Sequence, residues 1–523
     1  MNSLQATKTF GVLIESVGKP SFNTGRWSSR VAAAVKTPQE KVNVEYDNAK
    51  PFSDIPGPRG LPVFGTLFQY TRGPYTIDTY PDALIDRYKE YGPIFKETIA
   101  GNTIVHIFDP EEIKKLYAIE GKTPHVPPLL ETMQMYRKYR DMSPGLGNVN
   151  GEEWYRLRSA VQQMMMRPKS AAAFLPLVNE VVDDFIIRIN QIKTPTGEVL
   201  NINNELLKFT LESATYTCFE KRLNTLDAGE ESHTQKMINC NHTLLELSTK
   251  LKFKLPLFKY ISTPMWKKLV DAEDFFYKFG QTLVDETVAK IKELSECGEL
   301  QEGKYDFMAY LLGRKELTYK DISIVTLSLF ADGLSTTAPI LAWQLYCLAK
   351  HPDQQEKAFE EVRNLCHKDE PITARMIGKM PYLKACIKES FRFFPIGPDV
   401  SREPTRDVVV SGYQIPAGTN LSLNNNLLLR LPEFFSDAEK YIPERWLREG
   451  SGESVHPYVL TPFGHGPRMC AGRRFAEQDI HVLLIKLLLN FRMEWGSDKE
   501  LGKRFRILFT PDRESSIKFI PRY

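Results

Sequence analysis

Phe463-Gly464-His465-Gly466-Pro467-Arg468-Met469-Cys470-Ala471-Gly472 is the stretch on which the reading turns. One cysteine sits among glycines and a proline. An amphipathic run follows at once, with Phe475, Ile480, Val482, Leu483, Leu484 and Ile485. Gly464 and Gly466 permit backbone angles that a side chain forbids, so successive N–H groups can turn toward the Cys470 sulfur. Such donors, with a helix N-terminus just beyond, stabilise a thiolate. A thiolate held this way suits a haem iron as a strongly electron-donating axial ligand. A lone cysteine in a tight turn is more often a small buried apolar residue. The spacing of Phe463, Gly464, Gly466, Arg468, Cys470 and Gly472 argues against that here.

This spacing resembles the haem-binding loop of the cytochrome P450 family, the haem-thiolate monooxygenases. Every fixed position of Phe-x-x-Gly-x-Arg-x-Cys-x-Gly is matched. The resemblance extends from about residue 50 to residue 523 and includes separated motifs in the family's order. It implies a mostly α fold with a small β region, a single large catalytic domain over residues 61–523. It also implies haem b (iron protoporphyrin IX) ligated by Cys470, with Phe463 and Arg468 beside the cofactor.

Composition narrows the class. The 523 residues are 42% hydrophobic and 25% charged, ordinary for a globular protein. The cysteines (218, 240, 297, 347, 366, 386 and 470) are odd in number, scattered and without CxxC pairs. That argues against a disulfide framework and a structural zinc site, and fits a reducing compartment. The net charge of +3 originates in residues 1–36, which alone carry +4. No basic stripe with interleaved aromatics points to nucleic acid.

Residues 1–45 are rich in Ser, Thr, Ala and basic residues and poor in acids, the composition of a mitochondrial presequence. No run of about 18 or more apolar residues is seen, so no transmembrane anchor is expected. Residues 46–60 hold Ile55-Pro56-Gly57-Pro58-Arg59, which resembles the family's proline-rich hinge. Ala83 to Tyr91 reads as a helix. Ile94 to Ala100 and Thr103 to Phe108 read as strands around a Gly101-Asn102 turn. Residues 120–150 read as a loop. Trp154 and Arg158 share a helix face, and in the family such a pair binds a haem propionate. Residues 255–268 mix aromatics with lysines between prolines, as in a stretch lying on an anionic membrane surface. They also resemble a Pro-Thr-x-x-Trp-Lys segment of mitochondrial members, with Thr263 and Pro264 in exchanged order.

The apolar run Ile322–Leu348 is interrupted by Ala331-Asp332-Gly333-Leu334-Ser335-Thr336-Thr337. The family pattern there is small-Gly-x-acid-Thr-Thr, on the helix crossing the distal haem face. Gly333 would let the backbone approach bound oxygen, and Thr336 would hydrogen-bond that oxygen or its water. Two positions depart: Ser335 replaces the usual acid, and Asp332 stands where a small apolar residue is usual. Asp332 lies nearly one turn before Ser335, so it can substitute only if the helix is distorted. Pro339, which removes the donor to residue 335, supplies a cause. Proton delivery through Asp332, Ser335 and ordered water is one expectation; an ion pair between Asp332 and a base elsewhere is the other.

Glu389 and Arg392 face together on a helix from Pro381 to Phe394 and match the family's Glu-x-x-Arg, with Arg445 as the third member. Arg402 matches a further propionate position. Lys384 and Lys388 lie at positions where mitochondrial members bind an acidic ferredoxin, and Arg473 and Arg474 add to that patch. The resemblance therefore implies a ferredoxin-dependent enzyme on the matrix face of the inner mitochondrial membrane. It would insert one oxygen atom of O2 into a lipophilic substrate, a steroid or ecdysteroid first and a xenobiotic second. NADPH would supply electrons through ferredoxin reductase and ferredoxin. Phe330, Ala331, Ile396, Val400 and Leu508 are the apolar pocket candidates. Rival readings are a haem-thiolate isomerase or dehydratase needing no electrons, and a non-catalytic haem sensor.

Overall fold

The computed structural model describes residues 44–447 and 455–522. The expected presequence lies outside them up to residue 43. Tyr80–Tyr91 (α1) carries Pro81 in its first turn, where a missing N–H costs nothing. A hairpin follows: Ile94–Ile99 (β1) pairs antiparallel with Asn102–Ile107 (β2), with Ile99 opposite Asn102. The turn is therefore Ala100-Gly101, one residue earlier than the sequence suggested. Both carry positive φ, 49° and 86°. A two-residue hairpin turn of this hand requires that of both residues, and Asn102 enters the strand instead.

The expected loop between residues 120 and 150 contains a helix, Glu131–Tyr139 (α2), with buried Thr132, Tyr136 and Arg137. Gly151–Met165 (α3) carries the buried Trp154 and Arg158. Ile202–Phe219 (α4) is buried along most of its surface, and His233–Lys252 (α5) is capped by the Ser232 hydroxyl. Thr263 caps Pro264–Glu296 (α6) by accepting from Trp266 N, with Pro264 at the first helical position. The exchanged Thr-Pro order is thus a helix start. Trp266 and Phe258 stack at 5.7 Å and are buried, so these two aromatics pack inward rather than toward a membrane. Leu257, Tyr260 and Ile261 are the exposed apolar residues of that stretch.

Tyr319–Ser335 (α7) and Thr337–Lys350 (α8) are one apolar column broken at Thr336, where φ is −125° and ψ −58°. Pro339 offers no N–H to the Ser335 carbonyl, which explains the break. By length and composition Tyr319–Lys350 could cross a membrane, alone among the described residues, but most of its apolar stretch is buried in the protein against α4 and α5. Pro381–Phe393 (α9), Val400–Arg402 (β3), Asn420–Leu423 (β4) and Arg473–Asn490 (α10) complete the site's frame. The four-stranded sheet has the order β1-β2-β4-β3, with β2 and β4 parallel. Among the described residues three smaller sheets stand apart from it, and Val408–Val410 pairs with Tyr413–Ile415 in one of them. The mostly helical fold with a small β region is therefore the one the sequence indicates.

The start of α7 is tied to α3 through Asp321. Its carboxylate accepts from Thr318 N at 3.0 Å, Ser143 Oγ at 2.6 Å and Arg156 at 3.0 Å. Burial raises this carboxyl, but the Ser143, Thr318 and Arg156 donors outweigh burial and hold it below its ordinary value. A depressed carboxyl contributes stability that is present above the unfolded pKa, about 4, and lost as pH falls through the folded one. Asp321→Asn should destabilise the fold by about 1–3 kcal/mol at neutral pH. In denaturant melts the gap to wild type should narrow below about pH 4.

Candidate active site

The Cys470 loop follows from its glycines. Gly464 and Gly466 take φ of 71° and 74°. Cys470 N donates to Phe463 O at 2.9 Å and Met469 N to Gly466 O at 3.0 Å, closing the turn. The backbone N–H groups of Gly472 and Arg473, at the start of α10, point to the sulfur and favour its thiolate. Burial and the nearby Asp332 nonetheless win and push the thiol up. The expected donors are present, yet in this environment they stabilise a thiolate only with a cation beside it. Cys470 has exposed surface although it lies deep inside the protein envelope. Both hold for a side chain that opens into an interior cleft.

Asp332 faces the same cleft from α7. It too has exposed surface while lying deep in the protein, and burial pushes its carboxyl up to about 6, with Arg137 acting in the opposite sense. Arg137 donates to Pro144 O at 2.7 Å, Tyr277 Oη at 2.8 Å and Ser328 Oγ at 3.2 Å. It acts on Asp332 across space, and among the described residues no base forms an ion pair with Asp332. Thr336 Oγ1 donates to Asp332 O at 2.7 Å, leaving its lone pairs available. Gly333 has only the Thr210 backbone and Cβ near the place of a missing Cβ, at 3.9 and 4.0 Å. Ser335 is turned elsewhere: its hydroxyl exchanges hydrogen bonds with the Asn241 amide of α5 at 3.1 and 3.3 Å. The structure does not join Ser335 to the Asp332 carboxylate, and nothing local in the sequence marked Asn241, 94 residues away. Phe330 is fully buried between Phe219 and Phe276, so it is core rather than pocket. Ala331, Ile396, Val400 and Leu508 are half-buried.

Three guanidiniums converge beside the loop. Arg158 donates to Met469 O at 2.9 Å, and Arg402 to Glu120 at 2.6 Å and His465 O at 3.2 Å. Arg468 donates to Pro124 O at 2.8 Å and Val149 O at 2.6 Å, and its guanidinium lies 4.3 Å from the buried Trp154 ring. Burial, Arg402 and Arg158 together bring Arg468 down to about 9. Glu120 is the carboxylate set against these cations, and its Oε1 has no partner. A buried excess of positive charge at the edge of a cleft floored by a cysteine fits a group with a cationic centre and peripheral anionic arms. Haem, with its iron and two propionates, is such a group.

Behind the loop, Glu389 is fully buried and accepts five hydrogen bonds: two from Arg392 at 2.8 and 3.0 Å, and one each from Ile442 N at 2.9 Å, Arg445 at 3.1 Å and Trp446 Nε1 at 2.8 Å. Trp446 was not anticipated as a partner. Arg392 also donates to the carbonyls of Leu429, Ala438 and Lys440, clasping that segment to α9. The link to the cysteine loop is indirect: Phe391, two residues beyond Glu389, packs edge-on against Phe463 at 5.6 Å.

Lys384, Lys388, Arg473 and Arg474 line one surface concavity of about 670 Å³ that also includes Phe463 and Met469. Lys384 is exposed and touches Gly378 O at 3.0 Å. Lys388 lies over the Trp446 ring at 4.1 Å. Glu477 pairs with Arg473 and Arg474, so part of the expected positive charge is internally balanced.

A sequence profile described as Cytochrome P450 matches residues 55–519. The chain is 40% identical over 491 residues to a Caenorhabditis elegans protein named probable cytochrome P450 CYP44, covering 92% of this chain and 97% of that one. It is 33% identical to Drosophila melanogaster cytochrome P450 302a1, mitochondrial, over 89% of this chain and 94% of that one. It is 29% identical to the mouse 1,25-dihydroxyvitamin D(3) 24-hydroxylase, mitochondrial, over 90% and 89%.

Glu389→Ala should leave two buried guanidiniums without their carboxylate, at a cost of about 3–5 kcal/mol. The expected result is loss of folded protein in melts and of haem retention together. A variant with an unchanged melt would show that the cluster does not hold this region.

Proposed function

The chain belongs to the cytochrome P450 family, a family of haem-containing monooxygenases, and from that premise we propose that it is a mitochondrial-type enzyme hydroxylating a lipophilic, steroid-sized substrate with electrons delivered by ferredoxin. The observation that carries the reading is the cleft between Cys470, under the N–H groups of Gly472 and Arg473, and the Asp332–Thr336 break of α7. When bound, haem supplies the dioxygen activation and the electron-transfer chemistry. The protein's part follows from its own groups.

Cys470 would hold the haem iron through its thiolate, in a loop whose Phe463 packs against Phe391 of α9. Arg158, Arg402 and Arg468 would hold the propionates of a bound haem, with the Trp154 ring against the Arg468 guanidinium. Thr336 engages its proton with Asp332 O and so keeps its lone pairs as acceptors, which would orient a water. Asp332 lies within the same turn, and burial brings its carboxyl near neutrality, which suits a group that must both take and return a proton. Because Ser335 is held by Asn241, it acts as a clamp between α5 and α7, and the proton path runs through Asp332 and Thr336.

Support for the partner comes from the concavity where Lys384 and Lys388 meet the cysteine loop, and from relatives named as mitochondrial. NADPH and ferredoxin reductase are the implied source of electrons. Support for peripheral attachment to the inner membrane comes from the exposed Leu257, Tyr260 and Ile261. The name of the vitamin D 24-hydroxylase relative supports a steroid-like skeleton.

Three measurements test this. In a system reconstituted with ferredoxin and its reductase, NADPH consumption should depend on ferredoxin; substrate conversion without it would favour the isomerase or dehydratase reading. Asp332→Asn should slow product formation about tenfold to a hundredfold and raise peroxide release, with haem content unchanged. Unchanged coupling would remove Asp332 from proton delivery. For the partner surface, Lys384→Glu should raise the KM for ferredoxin, more steeply at low salt, and leave the haem spectrum untouched.

A further inference from the structure

Arg137 of α2 reaches into the packing of α6 against α7 and finds no acid there to bond. It is buried, and among the described residues no carboxylate comes within ion-pair distance of its guanidinium. Its donors go to neutral oxygens instead: the Pro144 carbonyl, Tyr277 Oη of α6 and Ser328 Oγ of α7. Its Nε is buried without a partner. A buried cation so placed has a strong demand for negative charge nearby.

Geometry decides where that demand is directed. A methyl group at Gly145 would stand 2.4 Å from Arg137 Nη1 and 2.7 Å from Ile324 Cγ2, so the guanidinium is wedged between the Gly145 backbone and α7. Ile324, Ser328 and Asp332 recur every four residues on α7 and therefore share one face. Arg137 lies beside the first two, and Asp332 is the next group along that face, one turn before the break at Thr336. On α6, Glu273 and Tyr277 are likewise four apart. Glu273 is buried with its Oε1 unpartnered. Burial pushes the Glu273 carboxyl up to about 8 against the pull of Arg137, whereas the Asp332 carboxyl is at about 6. Near neutrality Glu273 keeps its proton, and the charge of Arg137 is left to Asp332.

We propose that Arg137 is the positioning residue for Asp332: bonded to Ser328 and wedged beside Ile324, it fixes the turn of α7 that carries Asp332 and sets that carboxylate for proton transfer at the Thr336 break. The proposal rests on the reading of Asp332 as the proton-delivery group and adds what holds it. Such a hold is needed because the break deprives the last turn of α7 of regular helical support from α8. Arg137 acts through Asp332 and is not itself a catalytic residue.

A double-mutant cycle tests it, in the haem-loaded enzyme with ferredoxin and its reductase. Arg137→Met should slow product formation about tenfold and raise peroxide release, with the KM for substrate and for ferredoxin within about twofold of wild type. Arg137→Lys keeps the charge and should recover most of the loss. Arg140→Met, which removes an exposed partner of Asp274, should leave coupling unchanged. Added to Asp332→Asn, Arg137→Met should cost less than about twofold more, because the group it positions is already gone. A residue that only braces the fold would impose its full loss in both backgrounds. The same pair should couple in denaturant melts, the double variant losing less stability than the two single losses added together. Normal coupling in Arg137→Met, or losses that combine in full in turnover and in melts, overturns the proposal. If Arg137→Met does not load haem, Ser328→Ala decides, since it keeps the guanidinium and removes only its bond to α7. Peroxide-leaking turnover in Ser328→Ala that adds nothing to Asp332→Asn supports the proposal, and unchanged turnover overturns it. Unchanged coupling in Asp332→Asn overturns the Asp332 reading and this proposal together. An uncoupled Asp332→Asn beside a coupled Arg137→Met overturns this proposal alone.

Discussion

Glu389 is the constraint on which the frame of the site depends. One buried carboxylate holds two guanidiniums, an indole N–H and a backbone N–H, and each donor belongs to a segment that must stay in place. Such a cluster adds little net stability over an apolar replacement, because desolvation offsets much of the attraction. Its value is positional. Removing the acid leaves two buried guanidiniums without the carboxylate that balances their charge, so departures from this arrangement are strongly disfavoured. The fixed helix then presents Phe391 to Phe463, and the cysteine loop is held through a ring contact rather than through charge.

The cleft in front of that loop is organised by opposed electrostatics. Its rim carries the buried Arg158 and Arg402 and the half-buried Arg468 against Glu120, and its far wall carries Asp332. Cys470 lies between them with its thiol pushed up by burial and by Asp332. A group with a positive centre and negative arms relieves both excesses at once, which explains why polar side chains that are costly to bury persist here. The break at Thr336 belongs to the same design. Without it Asp332 and Thr336 would follow ordinary helical geometry, and Pro339 keeps the column from closing.

Much of this was legible in the sequence because the decisive signals are local. Glycine placement defined the Cys470 turn, a three-residue spacing paired Glu389 with Arg392, and a four-residue spacing put Trp154 and Arg158 on one face. Pro339 even announced the helix break. The parts that were not legible depend on contacts distant in sequence. Asn241 captures Ser335 from another helix, and Glu120 meets Arg402 across 282 residues. Phe330 was misplaced because its residue type suits a pocket and a core equally, and packing against Phe219 and Phe276 decides for the core. The turn at Ala100-Gly101 was displaced by one because Asn102 is a good turn residue that the strand register claims instead.

The central claim is that Cys470 coordinates haem iron as a thiolate. Protein lacking residues 1–45 should be purified with its haem, reduced and exposed to carbon monoxide, and its Soret band recorded. The account predicts a strongly red-shifted band, lost in Cys470→Ser. A band typical of histidine or neutral-thiol ligation in folded wild-type protein would contradict it.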